Sequence, residues 1–266
     1  MAAGEPAETL DPAGAWESAQ TLEVGLQERT ARAVPAVSDE RFGGWWLRHA
    51  PGCAWWVASV LPHGGATPAE LAERVEAAEA YCAERGRPTM VQMTPGAAPE
   101  ALDAFLEARG YVRKASVSLQ VAMTSEVLER APRGSLRVRL QEKPTRAWFD
   151  VLHQVGGGDA DAQWRLLERI GERSAYASVL LGDETVAVGR AVAESGWAGV
   201  FSMATLPAAR GKGAAGAVLG ALADWAAGND AERMYLQVEH HNEGAARLYG
   251  RLGFSELQPF SFRVKE

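Results

Sequence analysis

The sequence predicts an α/β protein in which each half of the chain forms a mixed, mostly antiparallel sheet flanked by helices. Three observations predict this fold class. The 266 residues are enough for one large domain or two small ones. Stretches with strand character alternate with stretches of helical periodicity. Short motifs of the first half return in the second half in the same order, which favours two copies of one fold.

The first half alternates between helices and strands. Pro51-Gly52 separates two strands, Pro68 suits the first turn of a helix, and Gly110 ends another helix. The charged stretch Thr124–Ser135, which contains proline and glycine, predicts a linker between the halves. The predicted helices are Trp16–Ala33, Pro68–Arg85 and Pro99–Arg109, and the predicted strands are Phe42–His49, Ala54–Leu61, Thr89–Met93 and Ser116–Met123.

The second half begins with a strand and two short helices that Gly156–Gly158 separate. Three strands follow, and then a helix, a strand, a helix and a last strand. The predicted strands are Leu136–Leu140, Ala175–Leu181, Thr185–Ala193, Ala198–Thr205, Arg233–Val238 and Phe260–Val264, and the predicted helices are Thr145–Val155, Asp161–Glu172, Gly213–Ala227 and Glu243–Leu252.

A faint internal repeat connects the two halves. Two segments match at one constant offset and a third at a slightly shorter one, with helices of similar length between them. The matches are Ser59–Pro62 with Ala204–Pro207, Val91–Met93 with Leu236–Val238, and Phe105–Tyr111 with Leu248–Phe254. Duplication explains this order, and coincidence among helix endings of the glycine-aromatic type is the alternative. We therefore predict two domains, residues 1–130 and 131–266.

Composition argues against several function classes. A formal net charge of −7 disfavours nucleic-acid and anionic-membrane partners. No apolar run approaches a membrane span, and Met1–Leu10 lacks the basic start of a signal peptide, so we expect a cytoplasmic protein. Cys53 and Cys82 lack metal-ligand spacing, and we expect no metal site.

The segment Phe201–Gly216 carries the clearest chemistry. A strand runs into a proline and then into a loop that opens a helix. Gly211 and Gly213 let backbone N–H groups approach a ligand, and Arg210 and Lys212 add positive charge. Such a loop suits a pyrophosphate, although it is neither the phosphate loop ending in Gly-Lys-Ser/Thr nor the dinucleotide G-x-G-x-x-G.

Two segments together resemble the GCN5-related N-acetyltransferases (GNAT). Arg210–Ala215 fits the R-x-x-G-x-A form of that family's pyrophosphate loop, and Leu236–Phe254 is similar to its strand-asparagine-helix block. The matching residues of the block are Asn242, Ala245, Leu248-Tyr249 and Gly253-Phe254. The resemblance covers residues 136–266 and implies two tandem GNAT-like domains, with acetyl-CoA as the co-substrate of the second.

The resemblance also implies roles for individual residues. Backbone groups of Met203, Ala204 and Thr205 would bond the pantetheine arm, and one N–H there would polarise the thioester carbonyl. The pyrophosphate would be held by the loop and helix start, comprising Arg210, Gly211, Lys212, Gly213, Ala214 and Ala215. Asn242 would bond the pantetheine region. Tyr249 would protonate the departing thiolate, because a phenol is protonated at neutral pH.

The general base is harder to identify from the sequence. Many members of the family carry a carboxylate on the strand before the loop, and Val200–Thr205 has none. Glu239, at the end of the next strand, is our candidate, with His240 and His241 as neighbouring alternatives. Asp159 and Asp161 could bind a cationic acceptor, and the alternative that we favour is that they cap a helix.

The first half resembles a degenerate copy of the same domain. After Pro62 it lacks the basic residues and the glycine spacing, and Leu106 stands where the repeat places Tyr249. We expect no productive CoA binding there. The pairs Trp45-Trp46 and Trp55-Trp56 suit burial between domains or in a homodimer, or ordinary sheet packing.

These observations predict an acyl-CoA-dependent N-acyltransferase that moves acetyl from acetyl-CoA to a small, cationic amine by direct attack. The alternatives are a non-catalytic acyl-CoA-binding or regulatory protein on the same fold, and a transferase for a longer acyl group, an alcohol acceptor or a protein N-terminus. Intact Arg210, Asn242 and Tyr249 favour the enzyme. The acceptor stays open among an antibiotic amine, an amino acid and a polyamine.

Overall fold

The chain divides into two compact units, each with a hydrophobic core of its own. The computed structural model describes residues 8–10, 16–132, 134, 136–171 and 173–265. The first unit comprises Met1–Arg32, Ala36–Ser116 and Phe260–Glu266, and the second comprises Ala33–Pro35 and Val117–Pro259. None of the helices in the described part of the chain is long and apolar enough to cross a membrane.

Strands and helices alternate along both units, as the fold class predicts. In chain order they are β1 (Glu8–Leu10), β2 (Trp16–Ser18), α1 (Ala19–Ala33), β3 (Ser38–Phe42), β4 (Trp45–His49), a 3₁₀ helix (Trp55–Ala58), α2 (Pro68–Ala83), β5 (Thr89–Met93), α3 (Leu102–Ala108), β6 (Val112–Met123), α4 (Thr124–Arg130), β7 (Arg137–Gln141), α5 (Arg146–Gly156), α6 (Ala160–Glu168), β8 (Ser174–Leu181), β9 (Glu184–Glu194), β10 (Trp197–Thr205), a 3₁₀ helix (Pro207–Ala209), α7 (Ala214–Ala227), β11 (Arg233–Glu239), α8 (Glu243–Arg251) and β12 (Ser255–Lys265).

The first unit packs α2 and α3 over short strands. Thr67 caps α2 by accepting the N–H of Glu70, whose carboxylate in turn accepts the N–H of Thr67. The apolar face of α2, formed by Leu71, Val75, Ala78 and Cys82, is buried beside β4 and β5. The end of β12 pairs antiparallel with β5, so the last strand of the chain completes this unit.

The second unit is a mixed sheet with helices on both faces. Its strand order is β6-β11-β10-β9-β8-β7, and every pairing is antiparallel except that of β10 with β11. Helices α7 and α8 share one apolar cluster with one face of the sheet. Helices α5 and α6 cover the other face, where the Trp148 indole donates to the carbonyls of Ala177 and Gly189 at 3.1 and 3.3 Å.

Three predicted segments were wrong. Phe42–His49 is not one strand, because Gly43 and Gly44 have positive φ and form the turn between β3 and β4. Ala54–Leu61 was predicted as a strand, but the Val57 N–H donates to the Ala54 carbonyl and begins a 3₁₀ helix. Alternating apolar residues do not distinguish such a turn from a strand.

The third wrong segment is the predicted linker Thr124–Ser135, most of which is the helix α4. Thr124 anchors its start by donating its hydroxyl to the Ala231 carbonyl at 2.6 Å, and Val127 is fully buried in the core of the second unit. Thr124, Val127 and Leu128 have the i, i+3, i+4 spacing of a packed helix face, and the charges of the segment conceal it. Arg133 and Ser135 lie outside the described residues.

The compact units do not divide at residue 130, where the repeat predicts the domain boundary. Residues 117–123 of β6 pair with β11, and so belong to the second unit. Residues 261–265 of β12 pair with β5, and so belong to the first. The boundary at residue 130 therefore stays a prediction about the two repeats.

The tryptophan pairs are placed within the first unit. Trp45 is fully buried in its core, and Trp46 stacks on His63 with 5.3 Å between ring centroids. Trp55 packs edge-on against Phe262 and is partly exposed. For Trp45 the structure therefore shows ordinary core packing, the second of the two alternatives.

Candidate active site

The parallel strands β10 and β11 separate in the middle of the second unit. In the described structure they pair only at Trp197 with Arg233, Ala198 with Met234, and Gly199 with Tyr235. Beyond this point β10 continues to Thr205, and β11 continues to Glu239 along β6. The backbone edges of the two strands thus border an opening in the sheet, which we call the slot.

Tyr235 is packed tightly at the closed end of the slot. A Cβ at Gly199 would lie 2.6 Å from both Cζ and Oη of Tyr235, so only glycine admits this ring. The Tyr235 ring also contacts Phe201 edge-on at 6.0 Å. The Tyr235 ring therefore packs directly on the Gly199 backbone, at the last residue pair before the strands separate.

A β-bulge lies where β10 begins to border the slot. Phe201 pairs with Arg190 and Ala204 pairs with Val188, so two residues of β10 oppose a single residue of β9. Ser202 takes up the extra length with φ of 55°. Such bulges bend a strand and turn its groups away from the regular ladder.

The bulge orients the backbone of the predicted pantetheine-binding residues. The Leu206 N–H donates to the Val186 carbonyl on the β9 side at 2.9 Å. The N–H and C=O groups of successive residues point to opposite edges of a strand. Those of Thr205 and Met203 therefore point away from β9, toward the slot. The Met203 side chain lies on the α7 side of the sheet, against Gly189, and Ala204 is buried.

The glycine loop follows β10 directly. Gly211 and Gly213 have φ of 73° and 81°, a left-handed backbone that favours glycine. Among the described residues, no atom would lie within 4 Å of a Cβ at either position, so the loop backbone is open to approach. Arg210 donates Nε to the Thr205 carbonyl at 3.3 Å, and Lys212 is exposed beside it.

The loop ends on the first turn of α7. Gly213 is the N-cap residue, and no side chain in the described part of the chain caps the helix. The N–H groups of Ala214, Ala215 and Gly216 precede the first intrahelical donor, Ala217, which bonds the Gly213 carbonyl. Ala214 is buried and anchors the turn. These donors and the helix dipole favour an anion at this point.

Asn242 and Tyr249 belong to α8. The Asn242 side-chain oxygen accepts the Ala245 N–H at 3.2 Å and caps the helix, which leaves the amide NH₂ as a donor. Tyr249 is 7% exposed, and its ring meets that of Phe254 edge-on at 6.0 Å. Burial raises the pKa of Tyr249 to about 12. Its phenol is therefore protonated throughout the neutral range.

Glu239, the last residue of β11, and Glu256 on β12 each pair with one of the two histidines that follow β11. Glu239 lies 3.0 Å from Nδ1 of His241, and Glu256 lies 2.9 Å from Nε2 of His240. The Glu239 and Glu256 side chains are 42% and 40% exposed, respectively. On β11, Val238 packs into the α7 side of the sheet, so alternation places Glu239 on the opposite face with Tyr235.

Asp159 and Asp161 occupy the start of α6. Asp159 accepts the Ala162 N–H at 2.9 Å, so the capping interpretation is confirmed for this residue. Asp161 lies in the first turn and is exposed. No three His, Cys, Asp or Glu side chains in the described part of the chain lie close enough to hold a metal ion.

One residue beside the slot was missed. Arg190 is 1% exposed on β9 and pairs across the sheet with Phe201. The sequence does contain a signal for it, since Arg190 is the one charged residue inside the predicted apolar strand Thr185–Ala193. A charge in such a strand is seldom buried without a reason.

Comparison with known proteins adds a family to this geometry. The family model described as "Probable histone acetyltransferase Rv0428c C-terminal" matches residues 23–259. A relative from Bacillus subtilis (strain 168), described as the uncharacterized N-acetyltransferase YobR, is 25% identical over 249 residues. The matched region covers 90% of this chain and 97% of the relative.

Solved structures show the same architecture. A GCN5-related N-acetyltransferase from Kribbella flavida aligns with a TM-score of 0.68 at 18% identity, over 93% of this chain and 95% of that one. A tandem GNAT protein from the clavulanic acid biosynthesis pathway aligns with a TM-score of 0.58 at 14% identity, over 94% and 97%. These alignments confirm the predicted fold class of two tandem domains.

Proposed function

The chain belongs to the GCN5-related N-acetyltransferases, since the family model for the probable histone acetyltransferase Rv0428c C-terminal region matches most of it. We propose that this N-acetyltransferase moves acetyl from acetyl-CoA directly to a small cationic amine. The observation that carries the proposal is the slot between β10 and β11, which leads from the bulge to the glycine loop and the start of α7.

Three features support acetyl-CoA as the acetyl donor. The N–H groups of Gly211–Ala215, with Arg210 and Lys212 beside them, suit a pyrophosphate. The backbone groups of Met203 and Thr205 border the slot, where an amide-bearing arm can pair with them as an added strand does. The Asn242 amide at the start of α8 offers a further donor.

The transfer then needs an electrophile, an acid and a base. A slot-facing N–H at Met203 polarises the thioester carbonyl as the amine nitrogen attacks its carbon and the new C–N bond forms. The C–S bond breaks, and the Tyr249 phenol gives its proton to the thiolate. Glu239 takes the proton that the attacking nitrogen loses, directly or through water.

Charge supports a cationic acceptor. Glu239 lies on the sheet face opposite α7 and α8, and Asp161 is exposed at the start of α6, on the helix layer of that same face. The chain carries a formal net charge of −7, which favours the approach of cations to a cleft. A nearby carboxylate both attracts an ammonium group and can accept its proton.

Amine screening tests the proposed function. Incubation with acetyl-CoA and a panel of amines should release CoA thiol in proportion to both the amine and the protein. Calorimetry should show one acetyl-CoA per chain, because the first unit lacks the loop and has the buried Leu106 at the position matching Tyr249. Binding without thiol release from any amine would leave the non-catalytic alternative, and two equivalent sites would contradict the assignment to the second unit.

Glu239→Gln should weaken the handling of the acceptor. The side chain is partly exposed, so loss of its charge should cost about 1 kcal/mol, a rise of about fivefold in the KM of the amine. The pH–rate profile should also change, because Gln cannot accept a proton. Steady-state kinetics across pH measure both effects.

Glu256→Gln is the matched control for Glu239→Gln. It removes the same charge from a carboxylate of similar exposure that also pairs with an imidazole. Its kinetics should stay close to those of the unmodified protein. Equal effects of the two variants would mean that overall charge, rather than Glu239, attracts the acceptor.

A further inference from the structure

Arg190 is a buried cation with an incomplete set of partners. It is 1% exposed, and its Nε and Nη1 have no hydrogen-bond partner in the described part of the chain. Its guanidinium lies over the Phe201 ring at 4.7 Å from the centroid, and Tyr176 is its cross-strand neighbour on β8. Burial lowers the pKa of Arg190 to about 10, so the group is still charged at neutral pH.

Other buried arginines in the described structure are paired. Arg48, 2% exposed, contacts Asp39 at 3.3 Å and donates to the Ala31 carbonyl at 3.1 Å. Arg263 contacts Asp103 at 2.8 Å. An unpaired buried charge costs stability, because the protein interior solvates ions poorly. The presence of such a charge at Arg190 points to a bound ligand that supplies the missing hydrogen-bond acceptors.

Arg190 lies beside the point where acyl transfer is proposed. A Cβ at Gly189 would point to Val218 of α7. Because side chains alternate along a strand, Arg190 lies on the opposite face of the sheet. There it adjoins Phe201, which directly precedes the bulge at Ser202 and contacts Tyr235 at the closed end of the slot. Phe201 is partly exposed, so a substrate can reach the guanidinium by displacing this ring.

We propose that Arg190 binds a carboxylate carried by one of the substrates. A guanidinium and a carboxylate form two parallel, charge-assisted hydrogen bonds, which would satisfy the unpartnered Nε and a terminal nitrogen. The carboxylate has two sources, the amine acceptor or the far end of the transferred acyl group. In the first case the acceptor is an amino acid rather than a plain amine. The inference rests on the proposed function and names its substrate class.

A matrix of matched substrates tests the proposal and separates the two sources. Lysine and cadaverine differ only by a carboxylate on the acceptor, and succinyl-CoA carries on its acyl group a carboxylate that acetyl-CoA lacks. Arg190→Met should lower kcat/KM by about 10- to 100-fold wherever the carboxylate is recognised. A loss confined to lysine assigns the acceptor, and a loss confined to succinyl-CoA assigns the acyl group. Equal losses with all four combinations, or no loss, would overturn the proposal.

Stability and binding provide a readout that does not depend on turnover. Arg190→Met should raise Tm by about 2–4 °C, because it removes an unpaired buried charge, whereas the control Arg48→Met should lower Tm, because it removes the donor to the Ala31 carbonyl in a buried hydrogen bond. Glutarate should raise the Tm of the unmodified protein but not that of Arg190→Met, and 1,5-pentanediol should raise neither.

The glutarate arm distinguishes the two hypotheses. A glutarate shift that requires Arg190, without turnover of any amine, would sustain the carboxylate site while the proposed function fails. A glutarate shift that is absent, or equal in both proteins, would overturn the carboxylate site even if amines are acetylated. A fall in Tm of Arg190→Met with no change in substrate preference would show a structural role instead.

Discussion

Tyr249→Phe is expected to lower kcat by about 10²- to 10⁴-fold while acetyl-CoA affinity changes little. The substitution removes the proton donor proposed for the leaving thiolate and keeps the ring that packs against Phe254. Burial in the core of the second unit fixes that ring, so the fold should tolerate the change. Pre-steady-state kinetics and calorimetry measure the two quantities separately.

The pH dependence sharpens this expectation. Because burial raises the pKa of Tyr249 to about 12, the phenol donates a proton below that pH and loses this capacity above it. The kcat of the unmodified protein should therefore not fall between pH 7 and 10 through this group. An alkaline loss in that range that disappears in Tyr249→Phe would contradict the raised pKa of Tyr249, although it would keep this phenol as the acid.

Tyr81→Phe provides the control for the hydroxyl. Tyr81 is 5% exposed in the core of the first unit, so the same atom is removed from a buried ring in the other unit. Its kcat should stay within about twofold of the unmodified protein. Similar losses in the two variants would indicate general destabilisation rather than lost proton donation by Tyr249.

Gly213→Val is expected to weaken acetyl-CoA binding by about 10- to 100-fold or more. Gly213 has φ of 81°, and a β-branched residue there costs about 1–3 kcal/mol. If the loop relaxes to relieve that strain, its N–H groups turn away from the anion position. The loop must then return to the strained conformation to bind acetyl-CoA, and the binding free energy is reduced by the cost of that strain. Added bulk in the loop opposes the pyrophosphate as well. Calorimetry with acetyl-CoA measures the loss.

The fold should survive Gly213→Val, because a Cβ at this position has no neighbour within 4 Å in the part of the chain that the structure describes. Gly196→Val is the matched control, since Gly196 has φ of 78° in the turn between β9 and β10 and is equally uncrowded. Both variants should lose similar stability, and only Gly213→Val should lose affinity. Unchanged affinity in Gly213→Val would move the cofactor away from this loop.

Local pattern made much of the second unit predictable. The glycines and basic residues of the loop stand in one short segment, and the strand and helix around them have clear periodicity, so β10 and α7 lie close to their predicted bounds. The helix cap at Asn242 follows the same logic, because a capping residue acts on N–H groups a few positions away.

Segments without a distinct local pattern were harder to predict. Trp55-Trp56 suits a strand by composition, and only tertiary hydrogen bonding shows that the chain turns there. The Val57 N–H donates to the Ala54 carbonyl, and the Ser59 hydroxyl donates to the Trp56 carbonyl at 2.8 Å. The helix α4 was hidden by its charges, and burial of Val127 under the second unit's core stabilises it.

The sequence by itself determined the fold class, the family resemblance and the loop, because each depends on residues close together in the chain. The tertiary structure alone decided where β10 and β11 separate, at Gly199 and Tyr235, that β12 completes the first unit beside β5, and that Arg190 is buried with no ion pair among the described residues. These features depend on pairing between segments far apart in sequence. Neither propensity nor periodicity encodes which distant strand a residue will meet.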